Sequence, residues 1–115
     1  MNRVRMSVAA AACIAVLGAT ACGSSAPAQD LTFDLKVAGD KMTPDKVSGH
    51  QDDMVTMNVT ADRAETIHLH GYDYRFEVKP GETRSRRFKA DKTGSFEIEI
   101  EDTSTHLGEL DVLPR

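Results

Sequence analysis

Apolar and polar residues alternate with a period of two over much of the chain between Leu31 and Val112. The clearest run places Phe96, Ile98 and Ile100 between glutamates. Because successive side chains of a strand point to opposite faces, such a run predicts a strand with one buried face. The same alternation recurs in four further stretches, with the apolar sets Leu31/Phe33/Leu35/Val37, Val55/Met57/Val59, Tyr74/Phe76/Val78 and Leu110/Val112.

Turn-forming residues separate these runs at intervals typical of hairpins. Examples are Gly39-Asp40, Ser48-Gly49, Pro80-Gly81 and Thr93-Gly94. Glycine and proline at such spacing mark chain reversals, and no segment has a convincing helical period. We therefore predict one all-β domain over residues 30–115, an antiparallel sandwich of about seven to eight short strands.

The beginning of the chain predicts export. The N-terminus carries Arg3 and Arg5, and the residues from Met6 to Gly18 are uncharged and mostly apolar. A basic start, a short apolar run and then small residues are the layout of a secretory signal peptide. The apolar run is shorter than the roughly 20 residues of a membrane span. We expect the signal peptide to cover residues 1–21.

The residues around Cys22 resemble the lipobox of bacterial lipoproteins, which implies cleavage before this cysteine and its acylation. Residues 22–29 would then form the lipid-anchor cysteine and a flexible linker rich in Ser, Ala and Pro. The resemblance implies a protein anchored to the cell membrane on its extracytoplasmic face. A plain signal peptide cut after Ala21 is the alternative.

Cysteine and charge content indicate what stabilises the domain and which class of partner it is unsuited to bind. The only cysteines are Cys13 and Cys22, so the domain has no thiol and must be stabilised by its hydrophobic core. All 18 acidic residues lie beyond Cys22, as do 12 of the 14 basic residues, because Arg3 and Arg5 belong to the leader. The part of the chain after Cys22 therefore has a net charge of −6. An acidic domain argues against nucleic-acid binding.

One segment departs from this acidic character. Residues 84–89 read RSRRFK. We expect them to form the solvent face of a strand paired with glutamate-rich strands, since opposite charges on neighbouring strands stabilise a sheet by about 0.2–1 kcal/mol. An anion or headgroup site is the alternative.

His68 and His70 are the strongest candidates for chemistry. They stand two residues apart in a predicted strand, so both imidazoles should lie on one face, about 7 Å apart. Two histidines at this spacing suit a borderline metal ion. The competing interpretation is a pair of polar side chains hydrogen-bonded to nearby backbone or carboxylates. Glu99 and Glu101 are expected on a solvent face.

Two motifs resemble the cupredoxin-like domains of the EfeO type. Residues 68–73 read HLHGYD, and residues 90–102 read ADKTGSFEIEIED. The resemblance covers nearly all of Leu31 to Val112 and implies a cupredoxin-like, Greek-key β-sandwich.

The resemblance also implies a particular arrangement of metal ligands. It places His68 at the upstream histidine of a copper-carrying cupredoxin, Ile100 where that family has its cysteine, and His106 near the axial position. Without a thiolate, a type-1 copper electron carrier is excluded. The remaining possibility is a site formed by His68, His70 and His106, for Cu(II) first, with zinc and iron as open alternatives.

Catalytic signatures are missing from the sequence. It contains no HExxH motif, no phosphate-binding glycine loop and no Ser/His/Asp series in a recognisable order. We therefore expect a non-enzymatic protein that binds or buffers a transition-metal ion, copper first, at the cell envelope, with a metal-handling protein of the envelope as a candidate partner. A metal-free interaction module with the same fold is the alternative function.

Overall fold

The computed structural model describes residues 26–115. The predicted signal peptide and the predicted anchor Cys22 lie outside the described residues, so both stay predictions. Within residues 26–115, no helical segment has the length and apolarity of a membrane span. The described residues form nine strands: β1 Asp30–Ala38, β2 Lys41–Thr43, β3 Lys46–His50, β4 Met54–Ala61, β5 Glu65–Leu69, β6 Tyr74–Val78, β7 Thr83–Lys89, β8 Gly94–Ile100 and β9 Thr105–Leu113.

The strands form two sheets that enclose one core. The four-stranded sheet has the order β2-β1-β4-β7, and the five-stranded sheet has the order β3-β9-β8-β5-β6. The alternating apolar residues of both sheets are buried between them, including Leu35, Val59, Ile67, Ile98 and Leu110. The predicted all-β sandwich is therefore confirmed, and the period-two pattern correctly identified its buried faces.

Strand number and strand direction differ in detail from the prediction. The described chain has nine strands rather than seven to eight, because β2 contains only three residues and is too short to show a period. In addition, β1 pairs with β4 in parallel, with Leu31 opposite Val55, and β3 pairs with β9 in parallel, with Val47 opposite Leu110. Alternation reports which face is buried, but it carries no information about the direction of the neighbouring strand.

The basic segment forms β7, and its predicted glutamate-rich partner was wrong. This strand pairs with β4, whose outward residues are Thr and Asn. Arg86 lies over the ring of Tyr74 at 4.0 Å, and Arg84 Nε donates a hydrogen bond to the backbone oxygen of Glu77 at 2.9 Å. Because β6 and β7 are edge strands of different sheets, these arginines cover the open side of the sandwich. Inward charges of this kind also discourage edge-to-edge aggregation.

Candidate metal site

His68 and His70 lie together on the outer face of the five-stranded sheet. Ile67 and Leu69 alternate with them and are buried in the core. The backbone N–H of His70 donates to the carbonyl oxygen of Glu97 at 2.9 Å, which continues the β5–β8 pairing past the end of β5. The two imidazoles therefore stay on one face, and their ring centroids are 4.5 Å apart.

Glu99 completes a group of three potential ligands. It lies on β8 directly opposite His68, because β5 and β8 pair antiparallel in that register. Its Oε1 atom is 2.6 Å from His70 Nε2 and 3.6 Å from His68 Nδ1. One donor atom from each of the three residues falls within a mutual distance of 4.8 Å. Small side-chain rotations would suffice for all three donors to contact one ion.

The Nε2 atom of His70 is a buried polar atom without a hydrogen-bond partner among residues 26–115. The side chain as a whole is 44% exposed, so burial is confined to the end that faces Glu99. Its nearest polar neighbour is Glu99 Oε1 at 2.6 Å, a close charge contact. Coordination of a metal ion by both groups would replace this contact. Imidazole and carboxylate donors suit Zn²⁺ and Cu(II).

His68 is oriented by a carboxylate on its other side. Asp73 Oδ1 lies 2.8 Å from His68 Nε2. This hydrogen bond, together with the charge of Arg75, lowers the pKa of Asp73, so the carboxylate is ionised at neutral pH and can only accept. His68 Nε2 therefore carries a proton and donates to Asp73, while Nδ1 is directed at Glu99. A carboxylate behind a histidine is the usual support of a metal-ligating imidazole.

Glu99 is also held in its ionised form. The contact with His70 is the largest cause that lowers the pKa of Glu99, and the partly opposing cause is burial. Only 13% of its side chain is exposed, and His68 is exposed by 10%. A carboxylate so far withdrawn from water needs positive or proton-donating partners; His70 and His68 fill this role here, and a bound cation would fill it as well.

The turn after β5 fixes Asp73 relative to His68. Gly71 has φ +81° and packs on Phe96, where an added Cβ would lie 2.6 Å from the ring atom Cε1. The Tyr72 hydroxyl donates to the backbone oxygen of Lys92 at 2.8 Å and accepts from its N–H at 3.0 Å. The HLHGYD motif therefore serves two purposes: its histidines face outward, and its glycine and tyrosine anchor the turn that carries Asp73.

The structure places the third predicted ligand, His106, outside this group. His106 lies on β9, is 62% exposed in its side chain, and its Nδ1 is 2.7 Å from Glu97 Oε2. Glu101 is engaged by Arg75 at 2.7 Å. Ile100, which the resemblance was expected to place at the cupredoxin cysteine, is buried opposite Ile67. The candidate site is therefore formed on the outer sheet face by His68, His70 and Glu99.

Sequence reasoning missed Glu99, which it assigned to a solvent face. The alternation correctly gives Glu97 and Glu99 of β8 a common face, and Glu101 follows directly after the strand. It does not reveal which of them faces His68, because that depends on the register between β5 and β8. The two-residue spacing of His68 and His70 was the only local signal of the site.

The comparisons with known proteins concern the fold. No protein-family model matches the sequence, and no curated protein matches it. Three solved structures are similar at a TM-score of 0.55–0.59. A heme-copper terminal oxidase shares 18% identity over 72% of this chain, and a multicopper oxidase shares 18% over 77%. A copper binding protein in the apo form shares 16% over 70% of this chain.

Coverage of the matched chains differs among the three. The similarity spans 65% of the oxidase chain, 40% of the multicopper oxidase and 85% of the copper binding protein. At these identities the likeness is one of fold. Together with the two packed sheets, it shows that this chain is an all-β protein with a cupredoxin-like fold.

Proposed function

We propose that this protein binds a transition-metal ion, Cu(II) first, through His68, His70 and Glu99. The observation that carries the proposal is the convergence of three donor atoms, one each from His68, His70 and Glu99, within 4.8 Å of one another. Support comes from the orientation of His68 by Asp73. Two nitrogens and one carboxylate oxygen suit Cu(II), which also stands highest in the Irving–Williams order. Zinc fits the same donors, and iron fits them less well.

The proposed role is binding and buffering of the ion, without catalysis and without type-1 electron transfer. The site offers no thiolate, and Ile100 fills the corresponding position in the core. The proposal includes export, acylation at Cys22 and attachment to the extracytoplasmic face of the cell membrane. It also includes kinship with the EfeO-type domains and metal exchange with another protein of the cell envelope. The fold likeness to proteins described as copper-binding supports the choice of metal.

A metal-free interaction module is the second candidate function. The observation that favours it is that each imidazole of the sheet face already lies close to a carboxylate: His68 to Asp73, His70 to Glu99, and His106 to Glu97. Such pairs can satisfy a polar face without any ion. The two functions differ in whether the site binds Cu(II) saturably.

A Cu(II) titration separates them. The full chain with Cys13→Ser and Cys22→Ser, held in detergent, avoids copper binding by free thiols; we refer to it as the thiol-free chain. We expect one equivalent of Cu(II) in calorimetry and nitrogen couplings in its EPR spectrum, with both lost in His68→Ala and His70→Ala. No saturable binding, or binding that both substitutions leave intact, would exclude the proposed site and favour the interaction module.

A further inference from the structure

A second imidazole–carboxylate pair adjoins the candidate site on the same sheet face. Glu97 directs its two carboxylate oxygens at two different histidines. Its Oε2 lies 2.7 Å from His106 Nδ1, and its Oε1 lies 3.6 Å from His70 Nε2. Glu97 therefore links His106 to the inner group of His68, His70 and Glu99.

Exposure differs between the two ends of this row of side chains. His106 is 62% exposed, Glu97 43% and His70 44%, whereas Glu99 is 13% and His68 10% exposed. A hydrated ion therefore meets His106, Glu97 and His70 more readily than His68 and Glu99.

The approach to the outer end is open. A cleft of about 370 Å³ lies beside His106 and is lined by Lys46, Leu107 and Glu109, among others. Lys46 is neutralised by ion pairs with Glu109 and Asp111, at 2.8 and 3.6 Å. The one lysine at this cleft is therefore screened, and the surrounding carboxylates favour the approach of a cation.

We propose that Glu97 and His106 form an outer cation position through which Cu(II) enters and leaves the inner centre. The inference rests on the proposed function. Glu97 contacts both His106 and His70, so one ion passes from the outer position to the inner centre through Glu97. On entry, water ligands are replaced first by His106 and Glu97. Glu97 and His70 hold the ion next, before Glu99 and His68 replace Glu97. Each imidazole nitrogen that binds the ion gives its proton to solvent and takes one back when the ion leaves; apart from these N–H bonds, only metal–ligand bonds change.

An entry position has a kinetic signature that a structural ion pair lacks. It accelerates binding and release by the same factor and leaves the dissociation constant unchanged. We therefore expect Glu97→Gln/His106→Asn to lower both rate constants of Cu(II) exchange at least about tenfold, while the dissociation constant stays within about threefold. These residues are at the surface, so the variant should fold; far-UV circular dichroism checks this.

Stopped-flow fluorescence of the thiol-free chain with Cu(II) buffered by glycine measures the association rate constant, and competition with a chelator measures the dissociation rate constant. Cu(II) quenches tyrosine emission, and the chain has two tyrosines and no tryptophan. Glu77→Gln is the matched control, since it removes one negative charge from the same sheet face without touching the row. General electrostatic steering would slow association equally in Glu77→Gln and in the double variant, and this would overturn the proposal.

The remaining outcomes separate the two proposals from each other. Unchanged rate constants in the double variant, with binding still dependent on His68 and His70, would overturn the outer position alone. A dissociation constant raised more than tenfold with unchanged association would make the two residues ligands of the centre, and it would also overturn the entry role. Absence of saturable Cu(II) binding in the unsubstituted chain would remove the proposed function and the outer position together.

Discussion

His70 Nε2 and Glu99 Oε1 lie 2.6 Å apart across the boundary between β5 and β8. The pKa of Glu99 is lowered chiefly by this contact, so the carboxylate is ionised and His70 presents a proton, not a lone pair, to it. A metal ion bound by both groups would take the place of that proton. Imidazole and carboxylate donors at this separation suit such an ion.

Removal of the Glu99 charge tests this relationship. Glu99→Gln keeps the size of the side chain but loses the anionic donor. Supporting carboxylates alone change metal affinity by about 10–100-fold, so loss of a ligand should weaken Cu(II) binding by at least about 100-fold in calorimetry. Glu101→Gln is the matched control, because Glu101 lies two residues away on the same face but is engaged by Arg75. Equal weakening in both variants would make the effect one of net charge.

Asp73 should act on affinity through His68. Asp73 has φ +58°, a conformation that asparagine tolerates, so Asp73→Asn keeps the turn while it removes the charged acceptor. We expect Cu(II) affinity to fall by about 10–100-fold. Nitrogen-15 NMR of His68 in the metal-free protein should show loss of the fixed Nε2–H tautomer. Asp102→Asn, in an exposed turn, should change neither quantity; unchanged affinity in Asp73→Asn would deny Asp73 this role.

The predicted features of the fold were those that short-range pattern determines. The alternation of Phe96, Ile98 and Ile100 reflects burial on one face, and all three pack in or against the core. Strand direction depends on residues distant in sequence, as in the parallel pairing of Leu31 with Val55. No local rule connects residues 24 positions apart, and the two parallel pairs were therefore not predicted.

The same distinction explains the site. His68 and His70 could be placed on one face from their spacing alone. Glu99 rather than Glu101 lies at the site because the register of β5 against β8 places Glu99 opposite His68. His106 contacts Glu97 instead because the pairing of β8 with β9 is irregular beside Glu99. A bulge shifts every later residue relative to its partner, and the sequence gives no sign of where it occurs.

The turn at Gly71 offers a test of how the site is supported. Gly71→Ala introduces a Cβ that overlaps the ring of Phe96 at a positive φ, whereas Gly81→Ala has a similar φ of +79° and no atom within 4 Å. The Gly81 variant should lose about 1–2 kcal/mol of unfolding free energy from backbone strain alone. The Gly71 variant should lose about 1–3 kcal/mol more, because of overpacking. Urea denaturation measures both; equal losses would mean that Phe96 moves aside freely.

Asp53 supplies the last test, which concerns stability and pH. This residue is 1% exposed, and its carboxylate accepts hydrogen bonds from the backbone N–H groups of Gln29 and His50, each at 2.8 Å, and from Arg115. Burial opposes ionisation, but these hydrogen bonds and the charge of Arg115 outweigh it and lower the pKa of Asp53. Hydrogen bonds to a charged group contribute about 1.5–3 kcal/mol, so Asp53→Asn should lower the unfolding free energy by about that amount at pH 7.

The sign of the pH dependence follows from the lowered pKa. The folded-state pKa lies below the unfolded value of about 4, so the stabilisation by Asp53 is fully present above pH 4 and is lost as the pH falls through the folded-state pKa. The difference in unfolding free energy between the unsubstituted chain and Asp53→Asn should therefore be constant from pH 7 to about 5 and should shrink below about 4. The neighbouring exposed Asp52, also at positive φ, provides the control Asp52→Asn, which should follow the unsubstituted chain. A difference that stays constant down to pH 2 would mean that the pKa of Asp53 is the same in the folded and unfolded states, and it would contradict the lowered folded-state pKa.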